Sequence, residues 1–346
     1  IWFTDSSVGS VIDYVDVSYA NTGIYVNGAD VTLSNTNAQF NRYGVYVDKG
    51  GTVQLTNVTT QNNGLYGINF LNAGSGSTVY DSKSANNNST GVYVQNTDNI
   101  DFERFSSEGN SGQGIYLFSS DNVVLSNSRF LNNTNYGISA SSNADMDIRD
   151  NTITNNANGM YVDQMPNVDI LNNTPTYNNG YGIWIRNSSA ATIMNNNISD
   201  NTSYGIYNVT SQTTIQKNRI LKNSYGIYVT ASNSYPTDIP VINDNHIYDN
   251  TDEELYLGGT SSSLTINAGD NWWGTAEAVE IEAEIYHQVD NANLALVDFD
   301  PYKTTADIVH ITNISVSDAF FAPSIGETGL INYTLDQNSN VTIKIF

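Results

Sequence analysis

The chain has 346 residues, of which 35 are acidic and 12 basic, giving a net charge of −23, and it contains no cysteine. A surface so poor in Lys and Arg excludes nucleic acid and anionic membranes as partners, since both need basic patches; without thiols, disulfides and thiolate metal sites are excluded too. No stretch approaches the roughly 18 apolar residues of a membrane helix, so this segment has no direct insertion into a bilayer.

The chain opens on a strand-like Ile1-Trp2-Phe3 and then repeats one phrase: Gly23-Ile24-Tyr25-Val26, Gly44-Val45-Tyr46-Val47, Gly114-Ile115-Tyr116-Leu117, Gly226-Ile227-Tyr228-Val229. From Gly23 to Gly226 the spacings are 21, 23, 24, 23, 23, 22, 23, 23 and 21. A fixed period of this length means one unit stacked on copies of itself. Within a period, short apolar alternations of period two are separated by polar turns, as at Gly114–Leu117, Val123–Leu125 and Phe130–Leu131, which reads as three strands per coil. The predicted fold is therefore all-β, a parallel β-helix of about twelve rungs over residues 1–270. Ile24, Val45, Ile68, Val92, Ile115, Ile138, Met160, Ile183, Ile206, Ile227 and Leu255 form its expected inward column.

Asn recurs at the turns, where it tolerates left-handed backbone and can stack its amide one rung apart. One ladder is expected through Asn127, Asn151, Asn173, Asn196, Asn218 and Asn245. A second is expected through Asn41, Asn87, Asn110, Asn133, Asn156, Asn179, Asn201, Asn223 and Asn250. Next, Asp270-Asn271-Trp272-Trp273-Gly274-Thr275 reads as a closing rung. Residues 276–289 place Val279, Ala283, Tyr286 and Val289 at helical spacing, and this predicted helix with Leu294–Tyr302 forms a cap over residues 271–307. Over residues 308–346 three strands are predicted, at Ile314–Val316, Gly329–Leu335 and Val341–Ile345, too few for a whole β-sandwich. Both ends read as cuts through strands of a longer chain.

The repeat, nearly intact at Thr214-Ile215, Asn218, Ile220, Asn223 and Tyr225-Gly226-Ile227-Tyr228, resembles the right-handed parallel β-helix repeat of the NosD-type periplasmic copper-binding family. The resemblance covers about residues 1–270 and implies an exported, cell-surface or extracellular protein of prokaryotic type. Met146, Met160, Met165 and Met194 read as packing residues and, with three scattered His, do not take a ligand-like spacing. The tail resembles the first half of the immunoglobulin-like modules of hook-capping or type IX sorting type.

Enzymes on such coils wall a groove with long turn insertions, and uniform spacing argues against one. Only the step from Gly226 to Glu254 has room, at Ser234–Pro240. The strongest acidic pair is Asp147 and Asp169, at the same outward position of neighbouring rungs, about 5 Å apart, a separation suited to a hydrolase pair or to Ca²⁺. Asp249, Asp252, Glu253 and Glu254 form a second acidic run, either simply solvated or, at Asp249, Asp252 and Glu253, suited to Ca²⁺; no cofactor is required. The stripe Tyr25, Tyr46, Tyr93, Tyr116, Tyr161, Trp184, Tyr207 and Tyr228 points outward on the first strand, where it either stabilises the sheet or meets sugar rings or a protein. The reading preferred from sequence is a non-enzymatic surface or adhesion solenoid with carbohydrate affinity along this stripe. Its partners are then polysaccharide, other surface proteins or further copies of itself. The alternative is a polysaccharide lyase, hydrolase or epimerase using the Asp147/Asp169 face.

Overall fold

The computed structural model describes residues 1–231 and 238–306, with the backbone of 311–316 and 331–335. Three parallel sheets wrap residues 1–286 into a right-handed β-helix. The first has 13 strands, and the second and third 11 each. Twelve strands of the first sheet run from Trp2–Phe3 to Glu253–Gly259, and Ile285–Tyr286 adds one more. Strands of two to seven residues cannot hold themselves together, so each takes its hydrogen bonds from the neighbouring coils.

Register is kept from coil to coil. Ile115 pairs with Ile138, Ile138 with Met160, and Met160 with Ile183. Every member of the expected inward column is fully buried. Second-sheet residues such as Leu125, Ile148 and Ile170 and third-sheet residues such as Phe130, Ile153 and Ile198 close the core from the other two sides. The repeating Gly is required by close approach rather than by turn geometry: a Cβ on Gly114 would lie 2.5 Å from the Gly137 carbonyl oxygen and 2.9 Å from the Asn133 amide nitrogen.

Both Asn ladders exist, with two members corrected. Asn127 has φ 49° and is itself the left-handed corner residue, so Ser128 takes the inward position, its backbone N–H donating to Asn151 Oδ1 at 2.9 Å. The ladder proper runs through Asn151, Asn173, Asn196, Asn218 and Asn245 to Asn271. In the second ladder Asn178, not Asn179, is the member, because Tyr177 takes the left-handed corner; Asn63 also belongs. At each corner one residue adopts positive φ and its successor turns its amide inward, which is why paired Asn such as Asn132-Asn133 and Asn155-Asn156 recur.

The cap differs from expectation. Its helix is only Ala278–Ala283, with Ile281 buried while Val279 and Val289 are 83% and 69% exposed. Tyr286 leaves the helical pattern because its strand pairs with Leu255–Tyr256 and its ring stacks on Tyr256 at 4.6 Å. Leu296–Asp298 pairs with Thr265–Asn267, and Leu294, Ala295 and Val297 are buried. Buried His287 ties the cap together: Nδ1 accepts the Val297 N–H at 2.9 Å, and Nε2 lies 2.8 Å from Glu282 Oε1.

Residues Ile1–Thr304 form one compact unit and Thr305–Phe346 another. In the second, Ile311–Val316 and Ile331–Leu335 pair antiparallel, matching two of the three expected strands. The third, Val341–Ile345, lies outside the described residues, as does most of the Ser234–Pro240 excursion.

Candidate functional site

The aromatic stripe is longer and denser than the eight residues expected. Register stacks Trp2, Tyr25 and Tyr46 in one row, and Tyr161, Trp184, Tyr207, Tyr228, Tyr256 and Tyr286 in its continuation. The tyrosines before the Gly, Tyr43, Tyr66, Tyr136, Tyr181, Tyr204 and Tyr225, are half-buried against the same rings and join it. Tyr66 stacks on Tyr93 at 4.8 Å, bridging the coil where Asn69 replaces the aromatic, and Tyr204 lies 4.7 Å from Tyr228. Ser139 makes a second gap, and among the described residues no ring contact joins Tyr116 to Tyr136.

Trp2 is 66% exposed and the other rings of the row are half-buried, most of them lying against their neighbours, so the column offers mainly edges and phenol hydroxyls. From Trp184 to Tyr256 stacked and crossed pairs alternate: Trp184 stacks on Tyr207 and Tyr228 on Tyr256, while Tyr225 and Tyr228 are perpendicular at 90° and Tyr207 and Tyr228 at 87°. Burial, reinforced by Asp48 beside Tyr46 and by Asp163 beside Tyr161, pushes these two phenols up to about 12. Both remain hydroxyl donors across any physiological pH.

Carboxylates and amides flank the column. Tyr93 donates to Gln95 Oε1 at 2.7 Å and Tyr161 to Asp163 Oδ2 at 3.1 Å. Asp163, nearly buried, also accepts both arms of the Arg186 fork at 3.0 and 2.7 Å and the Asn187 amide at 3.1 Å. Burial alone would raise its pKa, but the Arg186 and Asn187 hydrogen bonds outweigh it and hold the carboxyl below the usual range.

Asp147 and Asp169 are direct register partners on the second sheet, as expected. Asp101 stands in the same column with Val124 between, and it accepts the Tyr80 hydroxyl at 2.8 Å. Asp147 is ion-paired with Arg149, while its Oδ1 is buried with no hydrogen-bond partner. Among the described residues no three His, Cys, Asp or Glu groups gather to hold a metal ion. Asp249 is spent on a left-handed corner at φ 58°, and Asp252 on the Ser224 hydroxyl. Burial, then Glu284, Asp290 and Asp252, push Glu253 up.

Sequence reading missed an acid-lined hollow of about 400 Å³ under the cap, walled by Tyr248, Asp249, Glu254, Trp273, Glu280 and Glu284. Glu254 stands where the next Asn of the second ladder would be, and accepts the Asn250 backbone N–H at 3.2 Å and the Asn250 side-chain amide. Burial dominates and pushes its carboxyl up to about 8, with Glu284 and Asp249 adding to the rise and the Asn250 bonds opposing it. The available signal was the ladder itself, which ends at Asn250 four residues before a glutamate.

Copper, implied by the family resemblance, does not fit these residues. Met146, Met160 and Met165 are buried in the core, Met165 sulfur accepting from Asn143, and both His287 nitrogens are engaged. Among the described residues no helix is long and apolar enough to cross a membrane.

The comparisons agree with this architecture. A family described as right handed beta helix region matches residues 22–175, and one described as periplasmic copper-binding protein (NosD) matches residues 140–271. No curated protein shows significant sequence similarity to this chain. Among solved structures, the periplasmic alginate epimerase AlgG is similar over 79% of this chain and 76% of its own, at 14% identity and TM-score 0.60. The A-module of the Azotobacter vinelandii mannuronan C-5 epimerase AlgE6 is similar over 78% and 88%, at 14% identity and TM-score 0.54. A mannuronic acid specific polysaccharide family 6 lyase from human gut microbiota is similar over 87% and 91%, at 12% identity and TM-score 0.50. At such identities the likeness is one of fold. Together the two family matches span residues 22–271, and over that span the chain is a right-handed parallel β-helix.

Proposed function

We propose that this is an exported protein directed at a polysaccharide, which it grips along the aromatic face of the first sheet. The observation carrying this reading is the outward aromatic column, continuous from Tyr136 to Tyr286, whose half-buried rings form one aromatic face of the sheet beside amides and carboxylates. Sugar rings stack on such faces, and sugar hydroxyls pair with phenols and carboxylates. Successive rungs repeat about every 4.8 Å, comparable to the length of one sugar unit. The periplasmic description of the matched family and the polysaccharide-acting titles of the similar structures support export and the ligand class. The net charge of −23 favours a neutral glycan over a polyuronate, whose carboxylates the surface repels.

Affinity electrophoresis through neutral and uronate polysaccharides tests this. Wild type is expected to be retarded by a neutral glycan, and Trp184→Ala or Tyr228→Ala to lose at least about 1 kcal/mol of binding while keeping its fold. Retardation unchanged in both variants refutes the reading.

Turnover is the second reading, favoured by Glu254, which stays protonated near neutral pH in a hollow that also holds Glu280 and Glu284 and so has the state a general acid needs. New reducing ends, unsaturated products or C5 inversion, abolished by Glu254→Gln, would establish it. Glycan binding with none of these products would leave the protein a binding solenoid.

A further inference from the structure

A second hollow, of about 350 Å³, opens where the first sheet turns into the second, and is lined by Gln164, Asn187, Ser188, Ser189, Thr210 and Asp238. Gln164, Asn187 and Thr210 occupy one corner column in successive coils, with φ of 53°, 51° and 47°. For a β-branched residue such as Thr210 this conformation is strained, and strain of this kind collects at binding sites.

The lining is chemically consistent. Asp163 draws in the Gln164 amide N–H at 3.4 Å and the Asn187 amide N–H at 3.1 Å, which leaves both amide carbonyls as acceptors and fixes their direction. Arg186 neutralises Asp163 from the other side, so its charge is spent within the wall. Ser189 is exposed, and Asp238 accepts the Gln212 amide at 2.9 Å with its Oδ1. Among the described residues no Lys or Arg lines the hollow, so an anionic ligand finds no counter-charge from them. A cluster of amide oxygens, hydroxyls and one carboxylate matches the hydroxyl donors of a neutral sugar. Asp163 and Arg186 end the strands of Tyr161 and Trp184, and Tyr161 donates to Asp163, so the hollow borders the aromatic column.

We propose that this hollow is a subsite taking one neutral, hydroxyl-rich hexose unit of the glycan held along the aromatic face, a proposal that rests on that reading of the function. Saturation-transfer NMR and calorimetry with glucose, galactose, mannose, glucosamine and glucuronate, each also run as competitor for the neutral polysaccharide, test it. The expected result is that at least one neutral hexose binds and competes, and that glucuronate does not. Ser189→Phe, an exposed position whose new ring fills the hollow, should weaken hexose binding tenfold or more without lowering the melting temperature. Asp238→Asn should weaken it about threefold and serves as the second variant. Trp184→Ala should weaken the polymer much more than the monosaccharide. If the polymer binds in a Trp184-dependent way while Ser189→Phe and Asp238→Asn change nothing, the subsite is wrong and the aromatic face stands. If glucosamine or glucuronate outbinds every neutral hexose, the assigned ligand class is wrong. If neither hexose nor polymer binds the wild type, both proposals fall together.

Discussion

Replacing Asn156 by Ala should be among the most damaging single changes in the solenoid, although it removes only one amide. Asn156 Oδ1 accepts the Asn133 backbone N–H at 3.0 Å and the Asn133 amide at 2.9 Å; its Nδ2 donates to the Phe130 carbonyl at 2.9 Å and to Asn178 Oδ1 at 3.2 Å. All of this lies at zero exposure for Asn156 and 2% for Asn133, where water cannot replace the lost partners. The Asn133 N–H loses its acceptor and the Phe130 carbonyl one of its donors. At about 1–3 kcal/mol per buried unsatisfied group, the expected cost is about 3–5 kcal/mol. The neighbouring Asn132→Ala is the control: Asn132 is exposed at φ 55°, so its replacement loses only left-handed tolerance, about 1 kcal/mol. Urea unfolding followed by circular dichroism, with hydrogen exchange of the amides around residues 130–135 and 153–158, separates the two. Equal losses in the two variants, or a larger loss at Asn132, would refute the account of the corners.

Gly114→Ala should cost about 1–3 kcal/mol, read as a lowered urea midpoint, because its methyl group would sit 2.5 Å from the Gly137 carbonyl oxygen. Ile138→Asn should cost about 2–5 kcal/mol by placing an unpaired amide in the fully buried column. The Glu254 carboxyl holds its proton up to about pH 8, whereas the unfolded chain releases it near the ordinary glutamate value of 4.5. The folded form therefore binds more protons in that window. Stability is highest below it and falls as pH rises through it, by at most about 1.4 kcal/mol per unit. Glu254→Gln should flatten that slope in melting temperatures taken from pH 5 to 9; an unchanged slope would show that Glu254 is not its source.

The solenoid was legible because its physics repeats. A fully buried column needs Ile, Val or Leu at every period, and a Gly whose Cβ would strike the coil above cannot vary, so Gly114 and Ile115 announce themselves ten times over. The ladders were legible as columns but not to the residue, since in Asn132-Asn133 either Asn suits a turn and only the backbone decides which bears the left-handed angle, while before Asn178-Asn179 it is Tyr177 that bears it. The cap helix was misjudged because Tyr286 at helical spacing also continues the aromatic column, and pairing with Leu255–Tyr256 outweighed three apolar residues of helical pattern. Site residues were the least legible. Glu254 looked like part of a solvated acidic run, and its burial depends on Trp273 and Glu284 arriving from the cap. The hollow beside Asn187 is assembled from four successive coils, none of which carries a motif.

The claim that a glycan lies along the aromatic face is tested most directly by a crystal structure of the protein soaked with a neutral oligosaccharide that it retards on. Ordered sugar units should lie against the first sheet beside Trp184, Tyr207 and Tyr228, running along the solenoid axis. Sugar found instead on the Asp147/Asp169 face, or only in the hollow around Glu254, would contradict it.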